Sequence, residues 1–124
     1  MTDKVVLQVP AKTEYARTVR LAAAELAARA GMDIDGIDDV RMAVEEAFVF
    51  ACERAGDGVL AFTFDVTPGA IGLVVGPLTC ADSNADGPDR GEKYATFILE
   101  SICDEFEMSD SAGVCTLRLA KRSG

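Results

Sequence analysis

The chain has 124 residues, 49% hydrophobic and 27% charged, the composition of a soluble globular protein with one domain over 1–124. Its 12 basic and 21 acidic residues give a formal net charge of −9, which argues against a nucleic-acid partner, since that needs clustered Lys and Arg. No apolar run reaches the ~18 residues of a membrane span and the N-terminus lacks a signal-peptide pattern, so a cytoplasmic protein with no membrane partner is expected.

Lys4 to Val9 alternates enough to be a first strand, and Pro10 ends it. Glu14 to Ala30 reads as a helix. Tyr15, Thr18, Val19, Leu21, Ala22, Leu26 and Ala30 recur near helical spacing, with Gly31 as the C-cap. A second helix, capped by Asp33 or Asp35, runs to about Ala55 on a core stripe of Ile37, Val40, Val44, Ala47, Phe48 and Ala51. Gly56-Asp57-Gly58 breaks it. The apolar period then drops to two. Leu60, Phe62, Phe64 and Val66 share one strand face, Pro68-Gly69 turns the chain, and Ile71, Leu73 and Val75 share a face of the next strand.

Gly76 to Arg90 is polar and reads as a loop, followed by a third helix over Glu92–Cys103. Strands at about Glu105–Met108 and Val114–Ala120, linked by Ser109–Gly113, complete the chain. The order β-α-α-β-β-α-β-β predicts an α+β two-layer sandwich, a mostly antiparallel five-stranded sheet with helices on one face. The cysteines Cys52, Cys80, Cys103 and Cys115 have no C-x-x-C spacing and there is no histidine, so no metal site is expected. Cys52, Cys103 and Cys115 lie in apolar segments and read as small core residues, while Cys80 sits in the polar loop.

The stretch Asp38-Asp39-Val40-Arg41-Met42-Ala43-Val44-Glu45-Glu46-Ala47-Phe48-Val49-Phe50 carries the most information. Residues four apart stack on one helix face, so Glu46 and Phe50 point the same way. Val44, Glu46 and Ala47 fit D-x-x-x-A-V-x-E-A-x-x-N-A, the pattern of a helix in the bacterial anti-sigma-factor serine kinases. From Val5 to Leu119 the chain resembles that family, a branch of the histidine-kinase-like ATPases, including "LQVPAKTEYARTVRLAAAELAARAG" at the start and "FILESICDEFEMSDSAGVCTLRLAK" at the end.

The resemblance implies serine/threonine kinase ancestry, with ATP and Mg²⁺ as the family's cofactors. It also implies that the site has lost its chemistry. Glu46 stands at the general-base position and is read as vestigial. The magnesium-binding asparagine is Phe50, whose ring offers no oxygen to a cation that requires it. The adenine-reading aspartate of D-x-G-x-G is Gly76, and its glycines are Leu78 and Cys80. The phosphate-cradling G-x-G-L falls on Lys93-Tyr94-Ala95-Thr96, so Lys93 and Ala95 replace glycines that let backbone approach a phosphate. No cofactor is expected.

In that family an arginine after an aromatic in the first helix contacts partners. Tyr15-Ala16-Arg17 matches, so Arg17, flanked by Glu14 and Arg20, is the expected partner-binding set. The implied function is to bind a sigma factor or an anti-sigma antagonist in a partner-switching pathway, as a homodimer formed through the first strand region. Two alternatives stay open. One is an active kinase that phosphorylates an antagonist, and the other is a non-catalytic binding protein that regulates something else.

Overall fold

Alternating apolar side chains lay down a five-stranded antiparallel sheet in the order β1-β2-β3-β5-β4. The strands are β1 (Asp3–Pro10), β2 (Val59–Thr67), β3 (Ala70–Thr79), β4 (Glu105–Ser111) and β5 (Val114–Arg122). The helices are α1 (Ala16–Arg29), entered through a 3-10 turn at Thr13–Tyr15, α2 (Ile34–Ala55), and helical backbone over 97–102, called α3. The computed structural model describes residues 2–55, 58–79, 97–111 and 114–122.

One sheet face carries Leu60, Phe62, Phe64, Ile71, Leu73, Val75, Leu117 and Leu119, all buried against the helices. From α2 the core receives Val40, Ala43, Val44, Ala47, Phe48 and Ala51, and Phe48 stacks on Phe62 at 5.7 Å between ring centroids. Of the expected α2 stripe only Ile37 is half-buried. The α1 stripe differs more. Val19, Ala23, Leu26, Ala27 and Ala30 face the core, whereas Tyr15, Thr18 and Leu21 face solvent. Small alanines let α1 lie close to its neighbours, and periodicity alone does not distinguish that alanine face from a leucine on the far side.

Caps fix the α1–α2 corner. Gly31 takes φ 86°. Its N–H donates to Ala28 and that of Met32 to Ala27, the paired bonds that close a helix on a left-handed residue. Gly69, at the β2–β3 turn with φ 81°, donates its N–H to the Ala30 carbonyl at 2.7 Å. Asp33 is the N-cap of α2, its Oδ1 accepting from the Gly36 N–H at 2.8 Å.

Two strand ends extend well past their expected positions. β3 runs to Thr79, so residues 76–79 belong to the sheet rather than to the loop expected from Gly76 onward. β4 likewise reaches Ser111, past Met108. The expected start of the third helix at Glu92 lies outside the described residues, as does most of the expected loop.

Candidate functional site

α2 brings Glu46 and Phe50 to the flank away from α1, one helical turn apart. The α1 side is defined by Glu45, whose carboxylate meets Arg20. Phe50 is 2% exposed and belongs to the core. Glu46 is half-buried, and its carboxyl is raised above the usual 4.5, first by desolvation and then by the negative charges of Glu45 and Glu53. Farther toward the helix start, Asp39 Oδ2 lies 3.3 Å from Lys121 Nζ, which also donates to the Ile102 carbonyl at 3.0 Å. That lysine ties α2 and the end of α3 to β5.

These groups can be compared with what a magnesium nucleotide requires. Magnesium needs oxygen ligands, and of the two positions only Glu46 supplies one. The Phe50 ring fills its share of the space with carbon. At Gly76 the backbone lies within β3, opposite Ala61 of β2, and the β3–β5 register shifts between Val75 and Leu78. Pro77 has no N–H to give the ladder, a sufficient reason for the slip. Leu78 resumes pairing opposite Cys115. Of Glu46, Phe50 and Gly76, Glu46 alone presents a side-chain oxygen. Lys93 and Ala95 lie outside the described residues. Among the described residues, no group of three or more Cys, Asp or Glu side chains is placed to hold a metal ion.

The three expected partner residues differ in environment. Glu14 is exposed in the 3-10 turn, and Arg17 is exposed in the first turn of α1. Arg20 turns toward α2. Its side chain is 28% exposed, its Nη1 lies 3.7 Å from Glu45 Oε1, and its Nε is buried without a hydrogen-bond partner. Arg29 pairs with Glu25, and Arg41 pairs with Asp38. Among the described side chains of α1 and α2, Arg17 is thus the arginine that makes no ion pair. Spacing placed Arg17 and Arg20 on one helix side but carried no information about Glu45, which lies far along the chain.

Cys52 and Cys103 are half-buried free thiols. Burial raises both, Cys103 to about 11 despite the lowering effect of Lys121. The Cys80 and Cys115 side chains lie outside the described residues. No helix among the described residues is long and apolar enough to cross a membrane.

Comparison with known proteins agrees with the fold. A serine-protein kinase RsbW of Listeria monocytogenes is 41% identical over 58 residues, which are 47% of this chain and 37% of that protein. The match therefore spans little more than a third of the Listeria protein. The RsbW of Halalkalibacterium halodurans is 27% identical over 128 residues, 90% of this chain and 79% of that protein. For Staphylococcus aureus RsbW the identity is 28% over 140 residues, 96% of this chain and 86% of that protein. A crystal structure of the RsbU and RsbW domains of Rv1364c from Mycobacterium tuberculosis superposes with a TM-score of 0.71 at 22% identity, over 97% of this chain and 32% of that one. Residues 9–121 match the histidine kinase-like ATPase domain, and the chain belongs to that family.

Proposed function

We propose that this chain is an anti-sigma-type regulator that binds a sigma factor or an anti-sigma antagonist in a partner-switching pathway, without binding ATP and without kinase activity. The burial of Phe50 one turn from Glu46 carries the second half of this reading. An aromatic side chain holds the core position where the resemblance places a metal ligand, one turn from the Glu46 carboxylate. Arg17 supports the first half, as an exposed cation available to a partner's carboxylate. The serine-protein kinase relatives are consistent with the pathway. A homodimer is part of the proposal. β1 is an edge strand of the sheet, and an edge must be paired, covered or charged.

Two measurements test it. A ligand at a hundredfold excess over Kd stabilises a fold by about 2.7 kcal/mol, which is several degrees for a domain of this size. Millimolar Mg-ATP is expected to leave the melting temperature unchanged. Titration with purified sigma factors and antagonists of the source organism is expected to give one complex whose Kd is the same with and without Mg-ATP. A dose-dependent thermal shift, together with phosphate transfer to an antagonist serine, would establish the active-kinase alternative instead.

A further inference from the structure

β1 runs out from under α1, which leaves the core face of the strand open at its start. Val9, Leu7 and Val5 pair with Leu60, Phe62 and Phe64 and so stand on the side that those residues turn to the helices. Along that face burial fades: Val9 is 5% exposed, Leu7 half-buried and Val5 37% exposed. Asp3, opposite Val66, continues it. A cleft of about 600 Å³ occupies the uncovered end, with apolar walls from Val5, Leu26, Val66 and Pro68 and with Asp3 and Arg29 as its charged residues. The Gly69 N–H donates to the Ala30 carbonyl at 2.7 Å and pins the β2–β3 turn to the end of α1, so the walls are in place before anything binds. Apolar walls, few polar groups and a volume of about 300–1,000 Å³ are the properties of small-molecule sites.

Charge selects the ligand. Arg29 donates its Nε to Glu25 Oε1 at 2.5 Å, so these two offset one another. Asp3 makes no ion pair among the described residues, and Lys4 next to it stands on the opposite face of the strand. Asp3, Glu25 and Arg29 together therefore leave one negative charge. The cleft also lies at the C-terminal end of α1, the negative pole of that helix. An anion would meet Asp3, Glu25 and that pole, and a neutral apolar molecule would gain nothing from Asp3. A cation with an apolar body uses both the charge and the walls.

We propose that this cleft binds a small amphipathic amine, with its ammonium against the Asp3 carboxylate and its apolar body on Val5, Leu26, Val66 and Pro68. The site shares no residue with the Glu46 and Phe50 region or with Arg17. It gives the chain a small-molecule ligand that does not depend on the partner-switching reading, and its failure would leave that reading standing.

Calorimetric titration of the full chain with n-butylamine through n-octylamine tests it, at pH 7, where a primary amine is protonated. One amine per chain is expected, with affinity rising about fourfold for each added methylene. The n-alkanoates and n-alkanols of matched length should bind at least tenfold more weakly. Asp3→Asn should weaken the amine at least tenfold, and Val5→Lys, which brings its own ammonium to the cleft, should abolish binding, both with the parent's melting temperature. No binding, alkanoates that bind as well as amines, or an Asp3→Asn variant that binds like the parent would overturn the proposal. Affinity independent of chain length would also overturn it, by reducing the contact to a surface ion pair. So would amine binding that disappears at protein concentrations where the chain dimerises, which would give the cleft to a second copy.

Discussion

Arg20 of α1 reaches Glu45 of α2 at 3.7 Å, across a helix pair whose interior contacts are mostly alanine and valine. Both side chains keep solvent contact, at 28% and 44% exposure, so screening limits the bridge to about 0.2–1 kcal/mol. A double-mutant cycle should return a coupling in that range. Arg20→Met should be neutral or slightly stabilising, because it keeps the aliphatic stem and removes the buried, unpartnered Nε. A loss above 2 kcal/mol for Arg20→Met would mean that the guanidinium holds the helices together.

Phe50 should behave as a core residue. Truncating a buried phenylalanine to alanine costs about 3–5 kcal/mol, and Phe50→Ala should fall in that range by urea denaturation. Phe50→Asn should destabilise as well, since it buries an amide where carbon was, and it should not restore a thermal response to Mg-ATP. Stability equal to the parent for either variant would contradict the packing.

Glu46 gives a pH signature. Its folded carboxyl is raised above the ordinary 4.5, so the folded state holds that proton more tightly than the unfolded chain. The associated stability is fully present below 4.5 and is lost as pH rises through the raised value. Glu46→Gln, which removes the partly desolvated charge, should therefore melt above the parent at pH 7. The gap should close as pH falls below 4.5 and the parent's carboxyl is neutralised. A gap independent of pH would assign the effect to packing.

Gly31 tests the helix stop. A Cβ there meets nothing within 4 Å, so the penalty of Gly31→Ala lies in the backbone at φ 86°. It should be about 1–2 kcal/mol, read as a shift of the denaturation midpoint with unchanged slope. A neutral substitution would mean that the corner relaxes to another turn.

Cys103, raised to about 11, should be unreactive at pH 8 in the folded protein. Only the thiolate attacks, so its alkylation rate should climb about tenfold per pH unit toward that value. Rapid modification at neutral pH with the fold intact would place the thiol in solvent.

Local signals determined much of this protein. The change of apolar period from about 3.6 to 2 marks where α2 gives way to β2, because each period matches the geometry that turns those residues to one side. Gly31 and the pair Asp33 and Asp35 announced the α1–α2 corner, and the structure chose Asp33 as the cap. That position 50 carries a phenyl ring with no oxygen to offer was also readable, being a matter of chemical type at one position. What only the tertiary structure decided involves partners distant in the chain. β3 extends through Gly76 to Thr79 because β2 and β5 offer it hydrogen bonds, although Gly-Pro locally favours a loop. Arg20 and Arg17 have the same intrinsic chemistry, and Glu45 alone separates them by engaging one from across the helix pair. Leu21 fits a core spacing as well as Val19 does, but the sheet lies on only one side of α1, and that side takes Val19.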